Sequence, residues 1–395
     1  MLKDPVWYPL PGNGVPSILM ANDKDHSRGR RLLSHAFSSD AVANQEVLVQ
    51  KYVDAFISRL GEIPLRDNGI VDIQEWFRWT TNDITTDLLF GKPFGCLERL
   101  ETHEHMKLLK YSIESERLYY ITAYFPWTKA LLNLMIDQKI LEGRKAFYDW
   151  VGEQTEQRLS GETQRPDFMT YWLRNSDTGG HVLSCEEIVA NNGLIIVAGS
   201  DSTANTLTSA TYLLLRNPSV MEKLADEIRQ LWNSHDEITF NAVSKAPYLS
   251  AVVSETLRYV PPAAVGFERR VGEGGAAISG YAVPEGTAVS ISAWPAYHAE
   301  RNFRDPDAFV PERWLGDPQY EGDNFAGCQP FSFGPRNCVG KNLAYAELRL
   351  VLAKLIWSFD LELMAQSHDW LKRCRVMTLW KMPELFVKVR GSDQP

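Results

Sequence analysis

The chain has 395 residues, 44% hydrophobic and 23% charged, with 41 Lys and Arg against 50 Asp and Glu, for a net charge of −9. Such ordinary usage excludes a disordered, collagen-like or disulfide-scaffold protein, and the acidic balance argues against nucleic acid as a partner. No run approaches the ~18 apolar residues of a membrane-spanning helix. The start, with its acid, prolines and glycines, is not a signal peptide, and no CxxC pair occurs among Cys96, Cys185, Cys328, Cys338 and Cys374.

In chain order, the segment from Ala41 to about Leu215 reads mostly as helix, from apolar residues at three- and four-residue spacing. One helix runs from Ile73 to Leu89 and ends at Gly91 and Pro93. Lys129 to Leu159 reads as one or two long helices. Gly161 to Gly180 reads as a loop broken by a short helix over Phe168–Leu173. Ser184 and Glu187 form a capping box that opens a helix to Leu215, and Pro218 begins the next. Tyr248 to Tyr259 is helical up to Pro261-Pro262. From Phe267 to Ile291, β-branched residues split by Gly and Pro predict short strands. A last helix spans Lys341 to Trp357, and strand-like pieces follow, including Glu384 to Val389. The expected fold class is mainly α with a minor β-sheet, in one large domain over residues 1–395.

Three clusters carry chemistry. Cys338 lies among Gly334, Pro335 and Gly340, with Arg336 two residues before it and a helix immediately after. A helix N-terminus and an adjacent cation both favour thiolate over thiol. The second cluster is Ser200-Asp201-Ser202-Thr203, which follows an apolar helical stretch and Gly199. Local rules allow a helix break there, with Gly199 as C-cap and Asp201 or Ser202 as the next N-cap. They also allow a continuous helix whose hydroxyls compete for backbone carbonyls and open a polar notch. The third is Glu255 and Arg258, three apart on one helix in an apolar neighbourhood where a buried ion pair needs a further partner.

Phe331, Gly334, Arg336, Cys338 and Gly340 fill F-x-x-G-x-R-x-C-x-G, which resembles the heme-ligand loop of the cytochrome P-450 family. Ala198 to Thr203 resembles that family's A-G-x-[D/E]-T-[T/S] pattern, with Ser202 where threonine is usual, and favours the continuous helix. Glu255 and Arg258 match its E-x-x-R, and Pro311-Glu312-Arg313-Trp314 its later P-E-R-[F/W]. The resemblance covers about Lys3 to Val389 and is strongest to ascomycete secondary-metabolism members such as isotrichodermin or averantin hydroxylases.

The resemblance implies a cytochrome P-450 fold lacking its usual N-terminal part, and a heme-thiolate monooxygenase. Heme b (iron protoporphyrin IX) is the implied cofactor, with Cys338 as axial ligand of its iron. Phe331 would pack beside the sulfur. Arg336, Arg269, and His26 with Arg30 on a W-x-x-x-R-like helix would meet the heme propionates. Asp201, Ser202 and Thr203 would relay protons, and Glu255, Arg258 and Arg313 would form a structural triad. The substrate would be a hydrophobic small molecule against Asn191–Gly199 and Ala263–Phe267. Electrons would come from an NADPH-cytochrome reductase or similar donor, with Lys341 and Arg349 as docking cations. Family members imply the endoplasmic reticulum membrane, although this chain has no anchor segment. A truncated, non-catalytic remnant and a heme-thiolate isomerase or dehydratase are the rivals, and the retained acid and hydroxyl oppose the latter. Gly272-x-Gly274-x-x-Ala277 fits a dinucleotide pattern but leads into strand-like sequence, so no nicotinamide or flavin site is expected.

Overall fold

The computed structural model describes residues 1–8, 13–63, 68–107, 120–128, 138–161, 167–174 and 183–392. Its main helices are α1 (Asp23–Leu33), α2 (Ser39–Gly61), α3 (Ile73–Phe90), α4 (Gln138–Ser160), α5 (Cys185–Arg216), α6 (Pro218–Leu231), α7 (Pro247–Tyr259) and α8 (Lys341–Ser358). Their ends follow local chemistry. The Ser38 hydroxyl caps α2 at the amide of Ala41, so that helix starts ahead of Ala41. Asp72 caps α3, and Gly91 closes it at a φ of 71°, in the left-handed region. Pro218 and Pro247 occupy first-turn positions of α6 and α7, where a missing N–H costs nothing. The expected helix over 129–159 is helical from Gln138, and residues 129–137 lie outside the described part. The short helix expected at Phe168 spans Phe168–Arg174, while 162–166 and 175–180 of the expected loop are likewise outside.

The Ser184–Glu187 capping box is present with both its bonds. The Glu187 amide donates to the Ser184 hydroxyl at 3.2 Å, and the Ser184 amide donates to the Glu187 carboxylate at 2.9 Å. From there α5 runs 32 residues without a break, about 48 Å at 1.5 Å per residue. It packs along α3 and also touches α4, α7 and α8. Gly199 marks the closest approach of α3, since a Cβ there would come within 3.3 Å of the Thr85 hydroxyl.

The strands are short and antiparallel. β1 (Leu2–Lys3), β3 (Arg269–Arg270) and β6 (Ala288–Val289) form one sheet, with Lys3 opposite Arg269. The buried Asp4 carboxylate holds Arg270 at 2.8 and 2.9 Å and fixes that register. β2 (Ile70–Asp72), β10 (Phe386–Gly391) and β7 (Phe359–Leu363) form a second sheet. β4 (Ala276–Ile278) pairs with β5 (Tyr281–Val283), and β8 (Arg375–Val376) with β9 (Trp380–Lys381). The glycine pattern at 272–277 therefore leads into β4 and opens no helix. The last strand starts and ends two residues beyond the expected Glu384–Val389. One apolar cluster runs from Leu32 to Val389 and joins the helices to the second sheet.

Glu187 has a second task, because its carboxylate also pairs with Arg28 of α1. Ser184→Ala should cost about 1 kcal/mol of stability. Glu187→Ala should cost more, since it removes the reciprocal cap and the tie to α1 together. Urea unfolding of the two variants measures the difference, and equal losses would leave the Arg28 pair without a stabilising share.

Candidate active site

The helix α5 is carried through the polar notch, so the continuous-helix alternative is the one the structure adopts. The Ser202 hydroxyl donates to the Ala198 carbonyl four residues back, at 2.6 Å. Asp201 and Ser202 are half-buried and Thr203 is buried. Ser200, beside them, is buried with its hydroxyl unpartnered among the described residues. Carboxylate and hydroxyls thus stand together in an apolar helix wall, an arrangement able to accept and pass protons.

The cysteine loop is a tight turn ahead of α8. Gly334 sits at a φ of +78°, which a side chain would strain. The Cys338 amide donates to the Phe331 carbonyl at 2.8 Å and closes the turn. Gly340 has an ordinary φ of −85°, and a Cβ there would meet only Phe37, at 3.8 Å. Nothing in the protein's own packing demands glycine at that position.

The Cys338 thiol is exposed, yet loop atoms crowd it closely enough that desolvation raises its pKa. The Gly340 amide and the cations of Arg30 and Lys341 act in the opposite direction. The expected help from Arg336 is therefore corrected. Its guanidinium turns away to the Ala21 carbonyl at 2.9 Å and the Asp23 carboxylate at 2.7 Å.

Around the loop the structure gathers cations from distant parts of the chain. From α1, Arg30 reaches the side-chain oxygen of Asn337 at 2.7 Å and also holds the Asn337 carbonyl. His26 is buried one turn earlier. Burial, then Arg336, Arg30 and Lys3, push its pKa down to about 4, so the ring is neutral near pH 7. Arg269 lies on β3 opposite Lys3. The Lys3 ammonium donates to the Tyr8 hydroxyl at 2.8 Å. Burial, Arg269 and Arg336 push its pKa down to about 7. One nitrogen of Arg336, Nη1, is buried with no partner among the described residues. Sequence reasoning missed Lys3, Asp23 and Asn337. Only the pairing of residue 3 with residue 269 brings Lys3 in, and no local pattern signals that pairing.

Below lies a fully buried charge cluster. Both Glu255 oxygens accept from Arg258 at 2.8 Å, and one also accepts from Arg313 at 3.2 Å. Arg258 further donates to the carbonyls of Tyr297, Pro306 and Ala308 at 2.8 to 3.0 Å. The structure adds two members. Asp323 pairs with Arg313, and the Trp314 ring N–H donates to Glu255 at 2.9 Å. Charge counting offers a signal for the first, because one carboxylate cannot balance two buried guanidiniums.

An exposed thiol beside converging cations suits a group with a soft metal centre and an anionic edge. Large apolar side chains are also bare, one in the loop and one in the 263–291 stretch. Phe333 in the loop is 83% exposed, and Ile291 beside Gly266 is 82% exposed. The unpartnered Arg336 nitrogen and the uncrowded Gly340 fit such a group as well. No protein-only cluster of three or more His, Cys, Asp or Glu able to hold a metal occurs among the described residues.

Comparison with known proteins agrees with this geometry. The family described as Cytochrome P450 matches residues 8–389. The chain is 53% identical over 394 residues to "Cytochrome P450 monooxygenase traB" of Penicillium crustosum, covering 99% of this chain and 77% of that protein. It is 40% identical to "Cytochrome P450 monooxygenase lcsI" of Purpureocillium lilacinum, over 98% of this chain and 75% of that one. It is 38% identical to "Averantin hydroxylase" of Dothistroma septosporum, over 98% and 74% respectively.

Asp323→Ala leaves Arg313 without its second carboxylate in a buried cluster and should cost about 3–5 kcal/mol in denaturant unfolding. His26 has a folded pKa of about 4 against 6.5 unfolded. Between those values the unfolded chain binds the extra proton, so this contribution to stability drains as pH falls through the window. The heme-free His26→Gln variant should lose less stability than wild type on going from pH 6.5 to 4. An equal loss would contradict a neutral, cation-flanked His26.

Proposed function

From the chain's membership of the cytochrome P450 family, as a heme monooxygenase of the fungal secondary-metabolite type, we propose the following assignment of its parts. Cys338 ligates the iron of a heme b, and Arg336, Arg269, His26 and Arg30 face its propionates. The observation that carries this reading is the exposed Cys338 thiol ahead of α8, beside the cations of Arg30 from α1 and Lys341 at the start of α8. Binding to a soft, positively charged centre removes the thiol proton that burial otherwise retains. Gly340 leaves room for a flat group to approach the backbone, and Phe331 shields the sulfur side of the loop.

When bound, the heme would supply oxygen activation, the chemistry by which one atom of O2 enters a substrate and the other, with two electrons and two protons, becomes water. The chain's residues do the rest. Asp201 and Ser202, with Thr203 beside them, hold and pass protons at the α5 notch. Ser202 keeps one hydrogen bond to Ala198 while its oxygen remains able to accept another. Asn191–Gly199 and Ala263–Phe267 form a largely apolar wall that excludes water and suits a hydrophobic small molecule. Glu255, Arg258, Arg313 and Asp323 hold the region below the loop in one geometry, and residues 1–395 work as one domain.

Electrons reach this site from a redox partner, which we assign as an NADPH-cytochrome reductase docking near Lys341 and Arg349. No described helix is long and apolar enough to cross a membrane. By family resemblance we place the protein at the endoplasmic reticulum membrane, and the exposed aromatic turn of Tyr124, Phe125 and Trp127 suits an interfacial contact.

The reduced, CO-treated protein should show the strongly red-shifted Soret band of thiolate-ligated heme, and Cys338→Ala should lose it. A heme-loaded wild type without that band would remove Cys338 as ligand. Ser202→Ala should keep its heme and the band while product formed per electron delivered falls about 100-fold. Unchanged yield would place the proton relay elsewhere.

A further inference from the structure

The helix α8 leaves the cysteine loop carrying Lys341, Tyr345 and Arg349 at four-residue spacing, which puts them in one stripe on its surface. The Tyr345 ring lies 5.0 Å from that of Phe331, tilted by 46°. The Arg349 guanidinium sits 4.9 Å over the Tyr345 ring. Lys341 approaches both rings, at 5.9 Å from Phe331 and 6.0 Å from Tyr345. On another side α8 packs against α7, the helix that carries Glu255. Arg349 has no acidic partner among the described residues, and its Nε is buried without a hydrogen bond. Its visible contact is the aromatic face.

Phe331 is therefore held from two sides. Its carbonyl receives the Cys338 amide at 2.8 Å, and its ring rests on Tyr345. We propose that Tyr345, held under the Arg349 guanidinium and against the Phe331 ring, is a positioning residue. It fixes Phe331, and through the Phe331–Cys338 backbone bond it fixes the amide beside the sulfur. Groups outside the ligand set orient a metal ligand and tune its metal through such contacts. Hydrogen bonding and polarity around a thiolate set how strongly it donates to iron. A space-filling role would need only an apolar side chain of similar size. The Arg349 cation over one face and the tilted Phe331 ring against it fix the ring's angle as well as its volume.

The inference rests on Cys338 as the iron ligand, and one set of holoenzyme measurements separates the two. Full-length wild type, Tyr345→Ala, Tyr345→Phe and Arg349→Met are compared for heme content, ferric–ferrous midpoint and the thiolate band of the reduced CO complex. Tyr345→Ala should retain heme while its ferric–ferrous equilibrium constant shifts about tenfold. Its CO complex should also lose the thiolate band faster. Tyr345→Phe, which keeps the ring, should recover most of the shift, and Arg349→Met should fall between. If Tyr345→Ala does not load heme, the graded order of the other two variants carries the test. A wild-type midpoint and band in every loaded variant overturn the positioning role. A wild type without the thiolate band overturns the ligand assignment, and the inference falls with it.

Discussion

Two buried guanidiniums and two carboxylates set the frame on which the site stands. Arg258 and Arg313 are almost wholly removed from water, which is tolerable only when every charge and N–H has a partner. The structure meets that demand with Glu255, Asp323 and a set of backbone carbonyls between Tyr297 and Ala308. The carbonyls matter as much as the acids. They belong to an irregular stretch that has no ladder of its own, and the arginines give it one. Because Glu255 sits on α7, which packs against α8, the same cluster reaches the helix that carries Tyr345. The floor of the site and the orientation of the cysteine turn thus meet at one helix contact.

The long helix α5 resolves a different conflict. Its polar notch asks for solvent or a break, while its flanks ask for burial along α3 and α4. Helix geometry prevails because Ser202, Thr206, Thr208 and Ser209 each return a hydroxyl to a carbonyl of the previous turn. Gly199 lets Thr85 of α3 come close at the same level. The hydroxyls are then satisfied without leaving the helix, and the acid among them remains at a half-buried wall.

Much of this was legible in the sequence, and the reasons are local. The capping box at Ser184, the proline starts at 218 and 247 and the glycine stop at 91 depend on neighbours a few residues away. So does the turn that presents Cys338 ahead of α8. What local rules left open was the fate of the helix at Gly199, because cap and continuation use the same residue types. They also missed partners joined across the fold. Asp323 lies ten residues from Arg313 in no regular spacing, and Lys3 meets Arg269 across most of the chain. The direction in which Arg336 points was misjudged for a related reason. Adjacency in sequence suggested the thiol, whereas Asp23 and the Ala21 carbonyl, more than 300 positions away, hold its guanidinium.

The pairing of β1 with β3 has a consequence for assembly. Residues 2–3 meet 269–270, and α1 meets the cysteine loop through Arg30 and Asn337. Closing contacts so far apart in the chain costs the freedom of loops of hundreds of residues. What that closure brings together is a set of like charges, of which the Asp23 carboxylate balances one at Arg336. An anionic partner bound among the remaining cations would stabilise the closed form by mass action. Loading and closure are then thermodynamically linked, with the pairing of residues 2–3 and 269–270 serving as the latch.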